Sequence, residues 1–173
     1  MKKLGVLTIG QSPRPDVIPE IEVNVGPEVK ILEKGALDGL TPAEVAAFRP
    51  DPGQYSLVTR LRDGTEVIVA KGKLIPRLEA AMDEFGRQDV DVVLLLCVGA
   101  FPSFGFHGLV LEPDKIIFRV LESLIHPEHS LGVILPIPEQ IETAQQTFSA
   151  LTTNLTLTSA SPYQGPDRLV RAA

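Results

Sequence analysis

A chain of 173 residues with 44% hydrophobic side chains can bury a substantial core, which excludes intrinsic disorder and allows one domain or two small lobes. A net charge of -6 and a pI near 5.1 leave no basic surplus to neutralise phosphates, so neither nucleic acid nor an anionic membrane is an expected partner. The single cysteine excludes an internal disulfide framework and a cysteine-cluster zinc site, and no metal is expected.

Leu4 to Gly10 reads as a buried first strand, too short to be a signal peptide or a membrane span, and a cytoplasmic location is the expectation. Gln11-Ser12-Pro13-Arg14-Pro15-Asp16 follows as a sharp polar loop, with Asp16 the N-cap candidate of a helix opening at Val17. Such a loop is either a proline-stiffened surface turn or an anion site, built from backbone amides around Gly10, Gln11 and Ser12 together with the Arg14 guanidinium. Val29 to Glu33 is a second strand. In the loop after it, Asp38 is either a site acid or the organiser of its own turn. Thr41-Pro42-Ala43-Glu44 carries a capping box with proline at the first helical position.

Tyr55–Leu61 and Glu66–Ala70 flank Asp63-Gly64, a hairpin signal that interrupts the alternating pattern and predicts an edge or inserted element projecting from the sheet. Leu74, Leu78, Ala81, Met82 and Phe85 recur at helical spacing up to Gly86. The apolar run from Val90 to Leu96 then reads as a strand buried on both faces, at the centre of a parallel sheet. Cys97 ends it. That is the end of a strand where ligands gather in open α/β sheets, so the thiol is core filler or a nucleophile. A thiol acting as base at neutral pH needs a pKa lowered towards about 7.

Asp114 to Ile125 predicts a helix with Ile117, Val120, Leu121 and Leu124 on one face, and Leu131 to Leu135 a buried strand. A helix from Pro138, a strand from Thr153 to Ser159 and the start of a helix at Asp167 complete an alternation that implies a parallel sheet. Pro136, Glu139 and Gln140 fall on the same rim as Gly10 and Cys97. His107, ten residues beyond the cysteine, is either a second proton-transfer group or an exposed loop histidine, and His126 and His129 read as surface. Gly-x-Gly-x-x-Gly follows no strand, so no nucleotide cofactor is expected.

Thr8 to Asp16, Gly35 to Leu40, Leu95 to Pro102 and Leu111-Glu112-Pro113, in that order, resemble the AroM protein family, which is similar in turn to the aspartate/glutamate/hydantoin racemase superfamily. The resemblance implies two flavodoxin-like parallel-sheet lobes facing across a cleft. They would divide into residues 1–100, with the hairpin inserted near 55–70, and 101–173. It implies a cofactor-independent racemase or isomerase of a small carboxylic or amino acid, with Cys97 as the first-lobe acid/base and Val98, Gly99 and Ala100 around the substrate carboxylate. A protein that binds a small anionic metabolite without catalysis, and a cysteine-dependent lyase or hydrolase, are the alternatives. The superfamily pattern continues to a second cysteine that this sequence lacks, so the second lobe is expected to be truncated and to pair as a homodimer.

Overall fold

The computed structural model describes residues 1–172. In chain order the elements are β1 (Lys2–Thr8), α1 (Ile18–Val25), β2 (Val29–Gly35), α2 (Pro42–Ala46), β3 (Ser56–Arg60), β4 (Glu66–Ala70), α3 (Lys71–Arg87), β5 (Val92–Leu96), β6 (Leu109–Leu111), α4 (Pro113–Leu124), β7 (Ser130–Leu135), α5 (Ile141–Phe148), β8 (Asn154–Ser159) and α6 (Pro166–Ala172). The main sheet runs β2-β1-β5-β6, every pair parallel, and a second parallel sheet pairs β7 with β8. This is an α/β architecture compatible with two flavodoxin-like lobes.

The period-two alternation of β1 sends Leu4 and Val6 to the face covered by Ile18 of α1, and Leu7 and Ile9 to the opposite face. On that second face lies α3, whose Leu74, Leu78, Ala81, Met82 and Phe85 are all buried, as their spacing predicts. The Phe85 ring rests on Gly5, where a Cβ would approach it to 3.1 Å. Each fully buried leucine or phenylalanine contributes about 1.5–3 kcal/mol by leaving water, so this helix face contributes substantially to stability. Thr41 and Glu44 form the expected reciprocal cap of α2.

The hairpin β3–β4 is a sheet of its own, antiparallel and outside the main strand order. It does not project into solvent. Leu57 and Val69 sit in the main core cluster, 2% and 0% exposed. The sequence shows the turn, where Thr65 N–H donates to Asp63 Oδ1 at 2.9 Å and Gly64 has φ of 90°. It does not show which surface the ribbon meets.

Two other expectations are corrected. Asp16 does not cap α1, whose N-cap is Val17 with no side-chain bond, because the Asp16 carboxylate is engaged by Arg14 instead. The strand at Leu131–Leu135 is not buried on both faces. Along β7 exposed and half-buried residues alternate, and α4 has no buried residue, with Ile117 and Val120 about half exposed. The apolar pattern of these elements is real, but they border an open cavity instead of packing on each other.

Candidate functional site

The loop after β1 is fixed by crossing against its neighbours at backbone distance. A Cβ on Gly10 would lie 2.3 Å from the Arg60 carbonyl oxygen, and one on Gly35 would lie 2.5 Å from the Gly10 carbonyl oxygen. Only glycine allows this crossing. Asp38 ties the crossing together by accepting from Ser12 N–H at 2.8 Å, Ser12 Oγ–H at 2.6 Å and Gly35 N–H at 2.7 Å. Gln11 Nε2 donates to the Leu37 carbonyl at 3.2 Å. Of the two readings of Asp38, the structure therefore shows the turn organiser.

This framework aims Arg14 inwards. Its backbone N–H donates to Glu33 Oε2 at 2.7 Å and its carbonyl accepts from Ile18 N–H at 2.9 Å, so the residue is held on both sides. The side chain is buried, with Nε and Nη2 donating to the two Asp16 oxygens at 2.8 Å and Nη1 to Thr8 Oγ1 at 3.1 Å. The Tyr163 ring lies 6.0 Å from the guanidinium carbon. The hydrogen bond to Asp16 raises the Arg14 pKa against burial, and the same bond holds the Asp16 carboxyl below its usual range. A carboxyl depressed in this way stabilises the fold above its ordinary pKa, and the contribution disappears as pH falls through the lowered value. Arg60 Nη1 stands 3.7 Å from Asp16 Oδ2. Two guanidinium groups thus share one carboxylate in the cavity lining.

The cavity has a volume of about 1440 Å³, above the roughly 300–1,000 Å³ usual for small-molecule sites. Arg14, Asp16, Thr59, Arg60 and Tyr163 line its polar end. Leu131, Val133, Leu135, Phe118, Ala144 and Phe148 line an apolar trough beyond. Cys97, Tyr55 and Asp114 line the same cavity. A tight turn ends β5, with Cys97 N–H donating back to the Leu95 carbonyl at 2.8 Å, and swings the thiol off the strand. Lys71 Nζ fixes the following loop by donating to the Ala100 carbonyl at 3.1 Å, with the Tyr55 ring centroid 4.8 Å away.

The electrostatics at Cys97 run opposite to those a thiolate base needs. Burial, and then the nearby Asp114 carboxylate, push its pKa up from 9.0 to about 12. Burial likewise raises Asp114 and Tyr55. Cys97 is therefore a thiol at neutral pH, and its stabilising effect on the fold persists below pH 9.0 and is lost towards pH 12. The shift lowers the thiolate fraction about a thousandfold, and the greater nucleophilicity of a basic thiolate recovers only part of that. Alkylation by iodoacetamide at pH 8 is expected to run roughly 30- to 60-fold slower than for an exposed cysteine peptide. A stopped-time mass measurement checks this, and a rate equal to the peptide's would refute the assignment.

Among the residues singled out from the sequence, Arg14, Cys97, Val98, Gly99 and Ala100 line one cavity, together with Pro136 and Gln140 of the rim. Gly10, Gln11, Ser12 and Asp38 stand behind Arg14 as its support and are not in the lining. Glu139 is also outside it. His107 is exposed beside a separate shallow depression with Met82 and Arg87, and His126 and His129 are exposed. Asp16, Thr59, Arg60, Tyr163 and Asp114 were not read as site residues. Asp16 two positions after Arg14 was the one local signal, and it was assigned to a cap; the others reach the cavity only through tertiary packing. Among the described residues no group of three or more His, Cys, Asp or Glu is placed to hold a metal ion, and no helix is long and apolar enough to cross a membrane.

A cleft with paired guanidinium groups at one end and a thiol in its wall is the candidate site of this α/β protein. The family model described as AroM protein matches residues 4–173, and the chain belongs to that family. No curated protein matches the sequence.

Proposed function

We propose that the chain takes a small organic carboxylate into this cavity, seating the acid group against Arg14 and Arg60. The observation that carries this reading is the sharing of Asp16 by both guanidinium groups. Arg14 offers five N–H donors, of which Asp16 takes two, Thr8 one and Tyr163 a further one, so one remains for a ligand. Tyr163 and Thr8 hold the group in place, so little side-chain entropy is lost on binding. Arg60 is the better test of the pair because it is part-exposed and its loss leaves the Arg14–Asp16 bond intact. In calorimetric titrations with succinate, L-malate and L-aspartate, Arg60→Ala should weaken binding about 10- to 100-fold, as for one charge-assisted hydrogen bond of about 1.5–3 kcal/mol. Equal affinity in the variant, or no affinity of the native chain for any of the three, would remove this reading.

A second reading, proton transfer at the carbon beside the carboxylate, is favoured by the presence of Cys97 in the same wall. It agrees with the resemblance to cofactor-independent racemases and isomerases. With a pKa near 12 the resting thiol serves as a proton donor to a strongly basic carbanion, not as the base that forms it.

A further inference from the structure

A short acid seated at Arg14 and Arg60 leaves most of this cavity, about 1440 Å³, unfilled. The remainder is bounded by Phe118 and Leu121 of α4, Val133 and Leu135 of β7, and Ala144 and Phe148 of α5. The Phe118 and Phe148 rings meet with centroids 6.2 Å apart, tilted by 46°, and give α4 and α5 a shared aromatic wall. Polar groups bordering the trough are already bonded within the protein. Thr147 Oγ1 donates to the Thr143 carbonyl at 3.0 Å, and Gln140 Nε2 to the Ser56 carbonyl at 2.9 Å. Lys115 is paired with Glu112 and Arg119 with Glu122, each at 2.6 Å. A second acid group on a ligand would compete with an existing partner for either cation, and would share the cavity with the Asp114 carboxylate. Meanwhile Ile117 and Ile134, in the same lining, are left 45% and 38% exposed, and covering such surface is favourable.

We propose that the ligand of this cavity is an amphipathic, medium-chain monocarboxylic acid, its acid group on Arg14 and Arg60 and its hydrocarbon tail laid along the trough between α4, β7 and α5. This rests on the carboxylate-binding reading and adds the tail to it. Charge complementarity selects the head, because two guanidinium groups have one carboxylate, Asp16, between them. Continuity selects the tail, because the arginines and the apolar walls line one cavity. An apolar protein surface laid on α4 would cover the walls and make no use of the paired arginines. The tail also accounts for part of the apolar surface that α4 leaves uncovered, since no residue of that helix is buried.

The test is a calorimetric series with the native chain and butyrate, hexanoate and octanoate, with 1-hexanol as the tail without its charge and sedimentation velocity run alongside. Affinity should rise about threefold for each added methylene, somewhat less than complete burial would give, so octanoate should bind about 80-fold tighter than butyrate. Hexanoate should bind at least tenfold tighter than 1-hexanol, as for one charge-assisted hydrogen bond. Ile117→Gln, at a half-exposed position that tolerates the change, and Val133→Thr should each lower the octanoate-to-butyrate ratio about threefold or more. Arg60→Ala should weaken all three acids alike and leave that ratio as it is. Equal affinity along the series, with Arg60-dependent binding of butyrate retained, would overturn the tail and leave the carboxylate site standing. No binding of any acid would remove both, and so would 1-hexanol binding as tightly as hexanoate. A native chain that sediments as a dimer broken by Ile117→Gln, with no rise along the series, would mean that a second copy covers the trough, and would overturn the inference.

Discussion

Phe85→Ala should destabilise the protein by about 3–5 kcal/mol, read as a fall in the urea midpoint at unchanged slope. The ring is fully buried and stacks on Gly5, the one position in β1 where the strand offers no side chain to that face. The neighbours that would have to close the void, Leu7, Leu78 and Met82, are themselves fully buried and held by the sheet and by α3. Little collapse is therefore available, which puts the cost at the upper end for an aromatic deletion. A domain with a total stability of about 5–15 kcal/mol loses a large share of it. Val23→Ala, at a position 83% exposed on α1, serves as the control and should change stability by less than about 0.5 kcal/mol. A Phe85 variant as stable as that control would mean that the α3 face is not the anchor of the main sheet.

Gly10→Ala should be of comparable size, for a reason that has nothing to do with the hydrophobic effect. The added methyl group meets a backbone carbonyl at 2.3 Å and Thr59 Oγ1 at 2.5 Å, and the carbonyl cannot rotate out of the way. The loop must lift from β3, which breaks the 3.2 Å bond from Gln11 N–H to the Arg60 carbonyl and displaces Arg14 and Arg60 relative to each other. We expect a loss of about 3 kcal/mol or more, in the range of severe overpacking, and loss of carboxylate binding in whatever fraction still folds. Native stability with native binding would show that the crossing is looser than its distances.

Features set by local chemistry were legible in the sequence. The capping box at Thr41–Glu44, the Asp63-Gly64 turn and the buried stripe of α3 each depend on residues a few positions apart, and each stands where its pattern puts it. The central β5 was legible because no polar residue interrupts its apolar run, although only Val93 and Leu95 are buried and Val92, Leu94 and Leu96 on the other face are half-buried. What escaped were choices between partners distant in the chain. Asp16 had two, the free N–H groups of α1 and the Arg14 guanidinium; a buried cation without a counter-charge is the costlier omission, so the ion pair prevailed. The apolar pattern of α4 placed Ile117 and Leu121 towards the interior but also Val120 and Leu124, which are exposed, and it did not show that a cavity lies between α4 and β7. The pKa of Cys97 was out of reach for the same reason. A thiol base needs a lowered pKa, whereas burial and an acid from α4 raise that of Cys97.

The hairpin has a consequence for how a ligand enters. On one side Arg62 Nε donates to the Ser12 carbonyl at 2.7 Å, and Arg62 N–H to Gln11 Oε1 at 3.0 Å, so its tip is fastened to the loop that carries Arg14. On the other side Gln140 Nε2 donates to the Ser56 carbonyl at 2.9 Å, Gln164 Nε2 to Glu66 Oε1 at 3.1 Å, and Ser161 Oγ to Glu66 Oε2. A brace attached to both banks sets the span between them. The two sheets cannot swing apart like a jaw without severing these ties, so the gap keeps one width whether or not it is filled. Val98, 66% exposed, lies in the cavity lining outside these ties, so the rim is open to solvent there while the thiol next to it in the chain is held in the wall.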